Sequence, residues 1–187
     1  MRIISGKLKG RRINPPASLP ARPTTDFAKT GLFNILQNRI EFENLSILDL
    51  FGGTGNISLE FASRGTKNIF YVDENIRCWK FITEEARKLN LPEIKTFRSD
   101  VFDFLKNCRA TFDIIFADPP YESGFAEKIP TFTFEKKLLN PTGWLIVEHS
   151  EKQNLESLPG FKEKRTYGNV GFSFFQTPYE VPDFGTN

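Results

Sequence analysis

The segment Asp118-Pro119-Pro120-Tyr121 places a carboxylate and an aromatic ring directly after an apolar run, Ile114 to Ala117, that has the length of a buried strand. Proline has no backbone N–H and cannot continue a sheet ladder, so the chain must turn there. Asp118 and Tyr121 are therefore expected at the carboxyl end of a strand, where ligands bind in open α/β sheets. A rigid corner of acceptors beside an aromatic face suits a planar group with an exocyclic NH2, such as a nucleobase. Taken alone, the same residues also fit a turn in which Asp118 caps the next segment.

A glycine-rich loop, Gly52-Gly53-Thr54-Gly55, lies between a predicted strand and a predicted helix. Glycines let the backbone turn tightly and let a ligand approach without a Cβ in the way. Asp73 ends the next predicted strand, about 20 residues further on, where a carboxylate can bind both hydroxyls of a ribose. The alternative is that Asp73 is a helix N-cap.

Nicotinamide cofactors and S-adenosylmethionine share these features, and three observations favour S-adenosylmethionine. The third glycine of a dinucleotide fingerprint would fall at Ile57 or Ser58 and is absent. Asp100 ends the third predicted strand, where it can accept from an adenine amine beside the Val101 backbone. The Asp118 corner offers a site for a second planar group, as a methyl acceptor requires.

The elements that must position these residues alternate between strand and helix from Ser46 onwards, and two closing strands are expected to pair antiparallel. Continuous apolar strands between amphipathic helices indicate a parallel sheet covered on both faces. The predicted fold class is α/β, a doubly wound, mostly parallel seven-stranded Rossmann-like sheet with a small N-terminal hairpin and helix extension. The predicted domains are 1–40, 41–177 and a loosely ordered tail, 178–187. The predicted strands are 2–5 and 8–13 (the hairpin), 47–51, 69–72, 94–97, 114–117, 144–147, 161–167 and 172–175, and the predicted helices are 27–37, 56–63, 76–89, 102–108 and 127–139.

The 187-residue chain has a net charge of +2, but its cations are unevenly distributed. Six of them precede the first carboxylate, Asp26: Arg2, Lys7, Lys9, Arg11, Arg12 and Arg22. A basic arm of this kind often binds phosphates, which favours nucleic acid as a partner. The alternative is a solvated edge whose charges only maintain solubility.

Several other classes of protein fit poorly. Cys78 and Cys108 are the only cysteines and His149 is the only histidine, so a zinc site or a Ser-His-Asp triad is poorly supplied and no metal is expected. No apolar run is long enough to span a bilayer and no signal-peptide pattern is present, which indicates a cytoplasmic protein. His149 is expected to be a hydrogen-bonding residue at a strand end. Phe125 could line the base pocket or pack the following helix, and packing is favoured.

The motifs from Asp49 to Gly55, Asp73, Asp100 and 118–121 resemble, in that order, those of class I S-adenosylmethionine-dependent methyltransferases acting on exocyclic amines. Residues 2–11, 22–26 and 32–34 resemble the bacterial 16S rRNA guanine-N2 methyltransferase family. In the segment after Asp26 the chain departs from the family pattern at three positions, while Lys29 keeps one positive charge.

The resemblance implies methyl transfer to the N2 amine of a guanosine in 16S rRNA of the small ribosomal subunit. It implies that Asp118, Pro119, Pro120 and Tyr121 hold the base. The glycine loop would hold the methionine portion of the cofactor, Asp73 its ribose, Asp100 its adenine amine and Asp49 its amino group. The full set of predicted cofactor residues is Asp49, Phe51, Gly52, Gly53, Thr54, Gly55, Asp73, Asp100 and Val101, and the six early cations are predicted to bind RNA.

Two alternatives stay open: a DNA adenine-N6 methyltransferase, which uses the same Asp-Pro-Pro-Tyr chemistry, and an RNA-binding module that binds cofactor without catalysis. The basic N-terminus and the absence of a large target-recognition segment favour RNA over DNA. The protein is expected to be a monomer.

Overall fold

The computed structural model describes residues 1–20 and 24–178. Arg22, one of the predicted RNA-binding residues, and residues 179–187 of the predicted tail lie outside the described residues.

A single seven-stranded sheet runs through the described part of the chain, in the strand order β3-β2-β1-β4-β5-β7-β6. Strands β1 to β5 are parallel, and β7 pairs antiparallel with both β5 and β6. The strands are β1 (Ser46–Leu50), β2 (Asn68–Asp73), β3 (Ile94–Arg98), β4 (Phe112–Ala117), β5 (Leu139–Ser150), β6 (Phe161–Tyr167) and β7 (Val170–Phe175). The helices are α1 (Asp26–Gln37), α2 (Asn56–Ser63), α3 (Ile76–Lys88), α4 (Val101–Asn107) and α5 (Phe125–Glu135).

The central strands are buried on both faces because successive side chains point to opposite sides of the sheet. In β4, Ile114 and Phe116 belong to one hydrophobic cluster and Ile115 and Ala117 to the other. Helices α1, α2 and α3 contribute Leu32, Phe61 and Ile82 to the first cluster, and α4 and α5 contribute Leu105 and Ile129 to the second. The predicted doubly wound α/β class is confirmed.

Helix α1 packs closely against β6 at Gly31. A Cβ on Gly31 would lie 2.1 Å from the Tyr167 ring, so any other residue here would have to displace that ring. The helix begins after Thr25, whose side chain accepts from the Ala28 backbone N–H at 3.1 Å. Both contacts fix the start of α1 beside the carboxyl ends of the strands.

The structure corrects two predicted elements. The N-terminal strands are reduced to one antiparallel bridge between Arg2 and Arg12, because the chain turns through residues 5–10 with positive φ at Gly6 and Gly10. The helix predicted over 127–139 ends at Glu135, because Leu139 already belongs to β5 and pairs with Phe112. Among the described residues, no helix is both long and apolar enough to cross a membrane.

Candidate active site

A cleft of about 820 Å³ opens at the carboxyl ends of the parallel strands. It brings together nearly all of the predicted catalytic and cofactor residues: Asp49, Phe51, Gly52, Gly53, Thr54, Asp73, Asp100, Val101, Asp118, Pro119, Pro120 and Tyr121. Gly55 does not line the cleft. It stands at the N-terminus of α2 with φ 71°, and a Cβ there would lie 2.2 Å from Ile82, so this glycine shapes the loop from behind.

The glycine loop is held from beneath by β2. The Tyr71 hydroxyl donates to the Gly53 carbonyl at 2.8 Å, and a Cβ on Gly52 would lie 2.3 Å from the Tyr71 ring. Asp73 accepts from the Gly53 N–H at 2.9 Å, across the predicted spacing of 20 residues. The loop is therefore packed closely on β2, where the buried Tyr71 ring leaves no room for a side chain at Gly52.

Two cofactor candidates have different local roles. Asp73 accepts from the Asn75 N–H at 2.7 Å, but the N-cap of α3 is Asn75, so the N-cap interpretation of Asp73 is wrong. Asp100 is exposed at the cleft and does cap a helix, since its Oδ1 accepts from the Asp103 N–H at 2.9 Å. A carboxylate has about four lone-pair positions, so both residues can still accept from a ligand.

Asp118 belongs to a group of three carboxyls with raised pKa values. Burial, followed by the nearby Glu148 and Asp49, raises the pKa of Asp118 well above its ordinary value. Burial raises the pKa of Glu148 to about 7, opposed by the hydrogen bond from Thr24. Burial also raises the pKa of Asp49 to about 7, although the Ser58 hydroxyl and N–H both donate to its Oδ2. A cluster of carboxyls with shifted pKa values in a cleft is typical of a functional site.

Aromatic rings form the wall beside these carboxyls. Tyr121 is 47% exposed, and burial followed by Glu148 and Asp118 raises its pKa to about 12. Phe51 adopts φ 56°, a conformation rarely found in a bulky residue, and its ring stacks on Phe125 with 6.0 Å between centroids. Phe125 packs on Phe102, as favoured by the sequence analysis, and it also lines the cleft, which was the alternative.

The cleft is acidic. Within the described residues its lining contains no Lys, Arg or His, and it contains seven carboxylic side chains: Asp49, Asp73, Glu74, Asp100, Asp118, Glu122 and Glu148. A pyrophosphate would be repelled here, whereas a sulfonium cation that also carries an amino group fits the charge. The lining therefore favours S-adenosylmethionine over a dinucleotide.

Comparison with known proteins agrees with this geometry. The model of a family described as "Conserved hypothetical protein 95" matches residues 1–176. The chain belongs to this family. Its relatives include a putative rRNA methyltransferase of Bacillus subtilis, YlbH, 31% identical over 94% of this chain and 98% of that protein. They also include the ribosomal RNA small subunit methyltransferase D of Haemophilus influenzae, 30% identical over 94% of this chain and 93% of that protein.

Solved structures share the fold. A putative methyltransferase of Escherichia coli superimposes with a TM-score of 0.82 over 96% of this chain and 99% of that one, at 23% identity. The Thermus thermophilus 16S rRNA N2 G1207 methyltransferase, in complex with AdoMet and guanosine, has a TM-score of 0.68 over 85% of this chain and 45% of that one, at 22% identity. The predicted family and the predicted methyltransferase class are confirmed.

The N-terminal extension of this methyltransferase is joined to the cleft by a buried polar network. Lys29 is completely buried and donates to the Arg2 carbonyl at 2.7 Å and to Asn56 Oδ1 at 2.6 Å. Asn56, which lines the cleft, donates in turn to the Thr24 carbonyl at 3.0 Å. Burial lowers the pKa of Lys29, while Glu60 opposes that shift. The positive charge of Lys29 is therefore internal and does not face a ligand.

The five described basic residues, Arg2, Lys7, Lys9, Arg11 and Arg12, are exposed on the methyltransferase surface, and none of them lines the cleft. The hairpin runs along α2: Arg2 lies at its first turn through Lys29 and Asn56, whereas the Lys7 N–H donates to the Ser63 carbonyl at its last turn. The eight residues of α2 separate these ends by about 12 Å. Lys7 also forms an ion pair with Glu93 at 2.8 Å, so the basic residues are not equivalent.

The methyltransferase cleft contains residues that the sequence analysis missed. Glu148 and Thr24 both line it, and the Thr24 hydroxyl donates to Glu148 Oε2 at 2.8 Å. Glu148 follows an apolar run in β5, as Asp118 follows one in β4, and this shared pattern could have identified Glu148 from the sequence. His149 is a hydrogen-bonding residue, as expected. It is buried, and its Nδ1 lies 2.8 Å from the Ser150 carbonyl oxygen and its Nε2 lies 2.8 Å from Ser173 Oγ.

Proposed function

We propose that the protein methylates the exocyclic N2 amine of a guanosine in the 16S rRNA of the small ribosomal subunit. The observation that carries the proposal is the proline corner, where the partly buried Asp118 carboxyl and the half-exposed Tyr121 ring stand in the same cleft as the glycine loop. The relatives named as small-subunit rRNA methyltransferases support RNA as the substrate class. An enzyme with this substrate works in the cytoplasm.

S-adenosylmethionine is the methyl donor. When bound, it supplies an electrophilic methyl group on a cationic sulfur. The glycine loop, including Thr54, and the adjacent Phe51 would hold the methionine portion, and Asp49 would accept from its amino group. Asp73 accepts from the ribose hydroxyls, and Asp100 with the Val101 backbone binds the adenine.

The acceptor base is held by positioning, because methyl transfer to an amine requires little covalent work from the protein. The Asp118 carboxylate and the Pro119 carbonyl accept from the two amine hydrogens and so direct the nitrogen lone pair towards the methyl group. Pro120 holds the corner rigid. Tyr121 stacks on the base, which offsets the few kcal/mol needed to take the base out of its RNA stack.

The exposed residues Arg2, Lys9, Arg11 and Arg12 bind RNA phosphates and give no sequence selection. Lys7 contributes less because Glu93 already neutralises it. Arg22 belongs to the same basic segment in the sequence. The protein is expected to act as a monomer, which sedimentation of the RNA-free protein tests.

The test uses labelled S-adenosylmethionine with three acceptors: 16S rRNA, small subunits that lack the modification, and duplex DNA. Mass spectrometry then identifies the labelled nucleoside, with Asp118→Ala as the control. N2-methylguanosine from a ribosomal acceptor is the expected product. N6-methyladenine in DNA would overturn the substrate, and cofactor binding without transfer to any acceptor would favour a non-catalytic module.

A further inference from the structure

The buried carboxyl of Glu148 stands beside Asp118. Strands β4 and β5 are parallel neighbours, and their last paired residues, Ala117 and Val147, directly precede Asp118 and Glu148. Neighbouring strands lie about 4.8 Å apart, so these two side chains can reach adjacent atoms of one ligand. Glu148 is 3% exposed, lines the cleft, and is the main charged neighbour that raises the pKa of Asp118.

The orientation of Glu148 is fixed from the N-terminal side. Thr24 donates to Oε2, and Thr24 is itself held by the bond from Asn56 Nδ2 to its carbonyl. Within the described residues this is the only hydrogen bond of the Glu148 carboxyl, and no cation lines the cleft to pair with it. The Glu148 carboxylate can therefore accept further hydrogen bonds from a ligand in the cleft.

Guanine and adenine present different hydrogen-bonding groups to the Asp118 and Glu148 carboxylates. Guanine presents two adjacent donors, the N2 amine and N1–H. Adenine presents one donor, the N6 amine, next to an N1 lone pair that accepts hydrogen bonds. Two neighbouring carboxylates accept two hydrogen bonds, so they complement the two donors of guanine. With adenine, one carboxylate would face the N1 lone pair and be repelled by it.

We propose that Glu148 accepts the N1–H hydrogen bond of the target guanine and is the residue that selects guanine over adenine in this cleft. This inference rests on the proposed function. Asp118 holds the amine that receives the methyl group, and Glu148 recognises the neighbouring atom, which takes no part in bond formation. Thr24 is the positioning residue that directs the Glu148 carboxylate.

A nucleoside that differs from guanine only at this edge tests the assignment. 2-Aminopurine keeps the exocyclic amine at C2 but has a lone pair at N1 in place of N1–H and a C6–H in place of the O6 carbonyl, so the effect at N1 is isolated by the Glu148 variant below. 16S rRNA ligated from segments can carry either guanosine or 2-aminopurine riboside at the acceptor position. For the wild-type protein we expect kcat/KM to fall at least about 100-fold with 2-aminopurine, because a site built for a donor rejects an analogue that lacks it.

The variant Glu148→Gln should reverse this preference. Its amide oxygen can keep the bond from Thr24, and its NH2 group can donate to the N1 lone pair of 2-aminopurine while it opposes the N1–H of guanine. We expect the ratio of kcat/KM for guanosine to that for 2-aminopurine to fall at least about 10-fold below the wild-type ratio. The matched control is Glu156→Gln, the same change at an exposed residue outside the cleft, which should keep the wild-type ratio.

The outcomes separate this inference from the proposed function. Wild-type protein that methylates both substrates equally, or Glu148→Gln that keeps the wild-type ratio, would overturn the role of Glu148 and leave N2 methylation standing. Wild-type protein that does not methylate guanosine at N2 would overturn both. A loss of folding in Glu148→Gln would appear as a lower midpoint of thermal unfolding, and Glu148→Asp, which keeps the acceptor, should then retain the preference for guanosine.

Discussion

Lys29 and Glu60 are both completely buried, with 3.4 Å between Lys29 Nζ and Glu60 Oε2. Glu60 also accepts from the backbone N–H groups of Ile4 and Ser5, at 2.8 and 3.1 Å. One buried ion pair thus fastens the N-terminal hairpin to helices α1 and α2. Because Lys29 also bonds Asn56, the same pair supports the wall of the cleft.

Removing the positive charge from this pair should weaken the whole fold. Lys29→Met keeps the length of the side chain but removes one of the two cations that pair with the buried Glu60 carboxylate and leaves only Arg64, whose Nε lies 3.0 Å from Glu60 Oε1. It also leaves the Arg2 carbonyl and Asn56 Oδ1 without their donor, so we expect a total cost of about 3–5 kcal/mol. We expect the free energy of unfolding, measured in urea, to fall by an amount in this range. Lys67→Met, at an exposed position, is the control and should change it by less than about 0.5 kcal/mol. Equal effects of the two substitutions would contradict the structural role of Lys29.

Asp118→Ala should separate methyl transfer from cofactor binding. The substitution removes an acceptor that aims the amine, so we expect the transfer rate to fall at least about 100-fold. The glycine loop and Asp73 remain, so the affinity for S-adenosylmethionine, measured by calorimetry, should change by less than about threefold. Loss of cofactor affinity together with transfer would show that the two halves of the cleft are not independent.

The raised pKa of Glu148 predicts how stability depends on pH without cofactor. Its folded-state pKa of about 7 lies above the ordinary value of 4.5, so the folded state holds the proton more tightly than the unfolded state. This contribution is complete below pH 4.5 and is lost as pH rises towards 7, at up to about 1.4 kcal/mol per pH unit. Urea unfolding between pH 5 and 8 should therefore show declining stability, and Glu148→Gln should make the decline shallower.

Asp49 and Asp118 contribute declines of the same sign, since their pKa values are also raised. Some decline should therefore persist in Glu148→Gln. Parallel curves for the wild-type protein and the variant would mean that Glu148 titrates normally in the folded state.

The basic residues should differ in their effect on RNA binding. Replacing Arg11 and Arg12 by Ala should weaken binding and reduce the slope of log K against log salt by about 0.7 for each lost phosphate contact. Lys7→Ala is the matched comparison at the other end of the hairpin, and it should change the slope less because Glu93 already pairs with Lys7. If the double substitution left the slope of log K against log salt unchanged, Arg11 and Arg12 would not bind RNA and would only maintain solubility.

Much of the fold could be predicted because its signals are local. The run ending at Ala117 is a strand by composition, and the prolines that follow it fix the position of Asp118. The boundary between α5 and β5 was wrong because Leu139 continues an apolar helical pattern, and only its pairing with Phe112 on another strand places it in the sheet.

The cleft residues that were missed depend on contacts between distant parts of the chain. Thr24 and Glu148 are 124 residues apart, and the apolar run before Glu148 does not indicate that a distant threonine orients its carboxylate. From the sequence, Lys29 was identified only as a retained positive charge, because its buried partner, Glu60, lies on another helix. Local sequence patterns do not show which faces of two helices pack against each other.

The position of β7 between β5 and β6 has a consequence for the order in which the protein is made. Strand β6 pairs with β7 among the described strands, so during synthesis it has no partner until β7 follows it. The two can close as a local hairpin around Gly168 and then dock on β5, where Phe172 pairs with Glu148. A nascent chain that has reached Tyr121 already carries the glycine loop, Asp73 and Asp118, but β5, which holds Glu148, gains its second neighbour only when β7 docks on it. The Glu148 side of the cleft is therefore completed after the glycine loop, once β7 has been synthesised.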